Sequence, residues 1–144
     1  MARFSVGWTK AAVATNTWIA ELRAPSGRDL RVWEVSIDNT TAVASDIGLY
    51  RATAQSGTPT SIVPVADDTS AGTAQAAAVV AATTAPTIGT NVPIRRALLA
   101  PSVGAGRIWT FPAGLVVPVS GSLVLWNNGA ATSAALEGYF VYDE

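Results

Sequence analysis

Between Arg107 and Phe111 the chain alternates. Ile108, Thr110 and Pro112 point one way and Trp109 and Phe111 the other, the period-two signature of a strand with unlike faces. Pro112-Ala113-Gly114 predicts a turn, with Leu115-Val116-Val117 as a second strand that stops where Pro118 removes a ladder donor. Ser122 to Trp126 sets Leu123 and Leu125 against Val124 and Trp126, and Asn127-Asn128-Gly129 ends it because Asn and Gly tolerate left-handed backbone. Leu136 to Tyr142 carries large apolar groups at both parities. That predicts a central strand covered on both faces, or one with a face buried in an oligomer.

The same alternation recurs upstream. Phe4, Val6 and Trp8 interleave with Ser5 and Gly7, so residues 1–10 read as an N-terminal edge strand or an arm reaching a neighbour. Trp18, Ala20 and Leu22 share a face, as do Trp33, Val35 and Ile37. Ser45 to Ala52 forms another strand through Ile47, Leu49 and Tyr50, and Ile62 to Val65, broken by Pro64, is at best an edge strand or extended loop. Residues 66–93 are ambiguous. Asp67 to Ser70 could cap an alanine-rich helix, but the β-branched Val79, Val80, Thr83 and Thr84 favour a loop followed by a strand from Ala74 to Thr83. Pro93 to Leu99 is a short strand or turn carrying Arg95-Arg96. In all, about eight to ten short strands are expected in one antiparallel β-sandwich spanning residues 1–144. A jelly roll is the preferred topology and an immunoglobulin-like sandwich the second.

Composition narrows the function. Hydrophobic residues make up 49% of the chain and charged residues 13%, so Ser, Thr, Asn, Gly and Ala must build much of the surface. Such a surface fits a protein partly covered by neighbours. A net charge of −1 with scattered basic residues gives no nucleic-acid footprint. Cysteine and histidine are both absent, which removes disulfides, thiol nucleophiles, the usual zinc ligands and histidine acid/base catalysis. No apolar run reaches the ~18 residues of a membrane span, and the N-terminus has no signal-peptide pattern, so a soluble protein made in the cytoplasm is expected.

Nucleotide-binding, nucleophile-elbow and zinc-helix motifs are missing. Glu21, Glu34, Asp38, Asp46, Asp67, Asp68 and Glu137 could supply a glycosidase pair, but each reads more simply as a strand flank, turn or cap. Asp67-Asp68 lacks the further oxygen ligands of a calcium loop. No enzyme activity, cofactor, metal or small-molecule ligand is therefore expected. Trp18, Trp33, Trp109 and Trp126 read as core or subunit contacts, while Phe4, Trp8, Arg95 and Arg96 are the candidate interface residues. Of the two arginines, which point to opposite faces, one is expected to pair with a carboxylate across a protomer boundary.

The segments Ile47-Gly48-Leu49-Tyr50-Arg51-Ala52, Gly57-Thr58-Pro59, Ala85-Pro86-Thr87, Arg95-Arg96, Trp109 to Pro118, Leu123 to Asn127 and Gly138 to Glu144 together resemble small jelly-roll virion proteins of tailed bacteriophages, of the capsid decoration or cement type. The resemblance implies a non-enzymatic structural role in the virion. It further implies a homo-oligomer, commonly a trimer, bound to the major capsid protein of the same phage, with no nucleic acid or membrane partner. A tail, collar or fibre component is the near alternative, and a carbohydrate-binding β-sandwich for host attachment is the more distant one.

Overall fold

The computed structural model of the chain describes residues 1–144. Eleven strands run in order: β1 (Arg3–Lys10), β2 (Thr17–Arg23), β3 (Leu30–Asn39), β4 (Ser45–Arg51), β5 (Pro59–Ile62), β6 (Val65–Ala66), β7 (Ala77–Ala82), β8 (Arg95–Leu99), β9 (Gly106–Val117), β10 (Ser122–Asn127) and β11 (Leu136–Asp143). They form two antiparallel sheets ordered β6-β1-β11-β3-β9 and β5-β7-β2-β10-β4-β8. Setting aside β5, β6 and β7, the remaining eight pair as one ribbon, β1 with β11, β2 with β10, β3 with β9 and β4 with β8. That ribbon is rolled so that β11 also pairs with β3, and β10 with β4. This is the expected jelly-roll sandwich. The total exceeds the expected eight to ten, with Pro64 dividing the predicted edge segment into β5 and β6; β7 falls inside the predicted Ala74 to Thr83 strand.

The core lies between the sheets, with two aromatic pairs along the β1–β11 seam. Phe4 stacks on Tyr142 with ring centroids 5.8 Å apart, and Trp8 tilts against Phe140 at 6.2 Å. Such aromatic pairs add about 0.5–1.5 kcal/mol each beyond the area they bury. Ile19, Leu22, Leu30, Ile37, Ile47, Leu49, Leu123 and Leu125 complete the interior, all with no solvent exposure. Gly138, paired with Trp8 across the seam, leaves room for the indole.

Three expectations need correction. Residues 1–10 are not a free arm, because β1 pairs with β11 along its whole length; β6 covers only Phe4 and Ser5 on its other side, so the expected edge position holds for Val6 to Lys10 alone. Pro112-Ala113-Gly114 does not end a strand. The register passes from Glu34 opposite Thr110 to Val32 opposite Leu115, so Phe111 to Gly114 bulge out of one continuous β9. Gly114 takes φ +71° there, and the Arg31 side chain lies where its Cβ would be. The matching irregularity in β3 turns Trp33 to the outer face, away from Val35 and Ile37.

On that outer face the Trp33 indole donates to Asp143 Oδ2 at 2.7 Å, Arg3 Nε donates to Asp143 Oδ1 at 2.8 Å, and the Arg3 guanidinium sits 5.1 Å from the Trp33 ring. β11 is central, as expected, but no further layer of the chain covers its outward residues, and Glu137 is exposed. The second sheet differs. Segments 52–58 and 83–88 fold over its outer face, where Ala52 and Ile88 cover Trp18, Val79 and Val124. The fully buried Glu21 carboxylate accepts from the Ser56 backbone N–H and hydroxyl to fasten this wrap.

Two outcomes follow from the seam and its outer face. Gly138→Ala would put a Cβ 2.0 Å from the Ser36 carbonyl oxygen and 2.6 Å from the Trp8 ring. Overpacking of this kind should lower unfolding free energy by about 1–3 kcal/mol in a urea titration. Burial pushes the Asp143 carboxyl up, but the hydrogen bonds from Arg3 and Trp33 outweigh this and hold it below its ordinary value. Its contribution is therefore complete above the unfolded carboxylate pKa, about 3.9, and is lost as pH falls through the lower folded value. Urea titrations of the wild type and Asp143→Asn should show a stability gap at neutral pH that narrows only below about pH 4. A gap that does not change with pH would separate Asp143 from acid sensitivity.

Candidate interaction surface

The two sheets end on one side of the sandwich in β8 and β9, each paired along one edge only. Three arginines from three strands meet there because the jelly-roll topology brings the ends of β3, β4 and β8 next to the β9 bulge. Arg51, the last residue of β4, crosses between the sheets and donates from Nη1 to the Val116 carbonyl at 2.7 Å. Arg95, the first residue of β8, places its guanidinium 5.3 Å from the Phe111 ring centroid. Arg31 lies along Gly114 and makes a long 3.5 Å contact to the Ala113 carbonyl.

All three side chains are exposed, and none pairs with a carboxylate. The chain has two salt bridges, Arg3 with Asp143 and Arg96 with Asp46. The two edge strands also carry bare apolar groups: Ile108 is 55% and Val116 42% exposed on β9, and Leu98, on the Arg96 face of β8, is 78% exposed. Free cations, exposed aliphatic groups and an open strand edge together can hold an acidic, partly apolar protein segment.

Of the sequence-predicted interface residues, only Arg95 belongs to this surface. Arg96 points to the opposite face, as parity requires, but its partner is Asp46 of the same chain, with Nε 2.8 Å from Oδ1. Phe4 and Trp8 are interior residues, each 3% exposed, so they cannot touch a neighbour. The reason is Gly138, which opens the seam to the Trp8 ring, and Tyr142, which stacks on Phe4. Arg31 and Arg51 were not singled out from the sequence. Isolated arginines at strand ends carry no local signal, and only the strand order unites them.

The remaining candidate chemistry is dispersed. Glu21 holds Ser56, Glu34 accepts from the Tyr139 hydroxyl, Asp38 accepts from Ser36, Asp67 accepts from Ser5 and Asp68 from Ser70. No three Asp or Glu side chains gather in a way that could hold a metal ion. Trp8, Trp18 and Trp109 are buried, and Trp33 and Trp126 are half-buried with their indole N–H groups bonded to Asp143 and Asn16. No family model, curated protein or solved structure matches this chain.

Because Arg51 and Arg95 are exposed and bond to groups that water can also serve, Arg51→Ala and Arg95→Ala should each cost no more than about 1 kcal/mol of stability. Thermal and urea unfolding of the two variants tests this. Losses well above that would make them staples holding the sheets together rather than surface groups.

Proposed function

We propose that the chain is a structural protein of a tailed-phage virion, a decoration or cement subunit that stabilises the head by binding across neighbouring capsomers. The observation that carries this reading is the β8–β9 side, where unneutralised Arg31, Arg51 and Arg95 gather along two free edge strands that also carry the exposed Leu98, Ile108 and Val116. The exposed apolar area of this side gains from burial, and a neighbour that brings carboxylates also matches its free arginines. The rolled sandwich and the low-charge surface agree with a subunit whose work is adhesion, as the resemblance to jelly-roll virion proteins implies.

The mechanism is avidity. A single subunit's contact with the shell is modest, but an oligomer that bridges several capsid subunits must lose all its contacts at once to leave. Linked contacts of this kind raise effective affinity by about 10²–10⁴ without any new interaction. A cement subunit thereby resists the separation of capsomers under internal pressure.

Phage shells purified without this protein should bind it when it is added back, co-sediment with it and gain heat resistance. Absence of retention at every salt concentration would reject the reading.

A further inference from the structure

The β9 edge has a counterpart across the same sheet. β6 closes the opposite edge, and around it Val63 is 75% exposed and Val65 70%, while Asp67 and Asp68 are both exposed. One end of the sheet is thus cationic and apolar, the other anionic and apolar. Their alignment can be followed rung by rung. Val65 pairs with Ser5, Ser5 with Val141, Val141 with Glu34 and Glu34 with Thr110. Two rungs further, the Asp67 N–H donates to the Arg3 carbonyl, Arg3 pairs with Asp143, Asp143 with Arg31 and Arg31 with Val116. The Val116 carbonyl is the one that Arg51 holds.

We propose that the β9 edge takes the β6 edge of a second copy of this chain, continuing the five-stranded sheet from subunit to subunit in a closed head-to-tail ring. The inference rests on the assembly reading above and names the partner of that side. If rungs are kept level across the junction, the next copy's Asp67 arrives beside Val116, within reach of Arg31 and Arg51, and its Val65 arrives beside Thr110. Four antiparallel steps separate β6 from β9, so the two run in the same direction and would meet as parallel neighbours. β6 shields only the Phe4–Ser5 stretch of β1, so the receiving edge continues along β1 beyond it. A contact between two different patches is heterologous. It makes a ring when its rotation closes and a filament when it does not. Edge charges also serve to keep strands apart, and that role predicts a monomer.

Sedimentation velocity over a broad concentration range separates the outcomes. The expected result is one fixed multiple of the chain mass that weakens as salt rises. Asp67→Arg with Asp68→Arg should reduce it to the monomer, and so should Arg31→Asp with Arg51→Asp. A chain carrying all four changes should regain the wild-type mass. A wild-type monomer, open-ended growth, or a folded four-fold variant that stays monomeric overturns the proposal.

Should the reversals unfold the chain, its lack of cysteine provides a second route. Parallel neighbours lie about 4.8 Å apart, within disulfide reach. Val65→Cys with Thr110→Cys in one chain should therefore oxidise to a covalent ladder ending at the ring size. Val65→Cys alone should not. No ladder from a folded double variant overturns the junction. A monomer that still binds depleted shells defeats this inference alone, whereas a ring that never binds them defeats the virion reading alone.

Discussion

The first strand pairs with the last, and the rest of the sandwich depends on that closure. Arg3 to Lys10 lie against Asp143 to Leu136 along eight consecutive rungs, and the aromatic groups Phe4, Trp8, Phe140 and Tyr142 fill the interior beneath them. Until this seam forms, β11 has nothing on one side and the ribbon cannot roll. The pairing joins the extremes of the chain, so loop-closure entropy must be overcome before most contacts reward it. Slow folding is the usual consequence of such non-local topology.

What the sequence revealed follows from period two. Alternation separated Trp109 and Phe111 from Ile108 and Thr110, and Pro64 marked the weak edge that became β5 and β6. The alanine-rich stretch was read as strand because Val79 and Val80 are β-branched, and β7 occupies it. Parity fails where residues are inserted without a partner. The irregular stretches at Trp33 and at Phe111 to Gly114 moved one tryptophan to the outer face and joined two predicted strands into one. No propensity scale flags a bulge built from Pro, Ala and Gly, since the same residues make turns.

The candidate surface was harder to read for a different reason. Arg31, Arg51 and Arg95 come from β3, β4 and β8, and what unites them is the strand order that carries each to the β9 bulge. Phe4 and Trp8 failed in the opposite sense. Their alternation with small residues looked like an exposed edge, but a glycine in the partner strand made space for the larger ring. Adjacent residues did better: Arg95 and Arg96 diverge to opposite faces as a strand demands, and Asp46 was near enough in the fold to satisfy Arg96 without a neighbour.

The wrap over β2, β7 and β10 gives the molecule two tiers of cohesion. Its contact with the sheet is a small cluster around Trp18, Val79 and Val124, and Glu21 pins it at Ser56. The main interior is a separate, larger body of side chains. Arg23 and Gln55 add hydrogen bonds to this fastening, but a segment whose apolar contacts are separate from the main interior can still detach by local opening while the jelly roll stays intact. Such an opening uncovers the Trp18, Val79 and Val124 strip and lets water reach the Glu21 carboxylate in place of Ser56, so the molecule can change the outer face of its second sheet without unfolding its core.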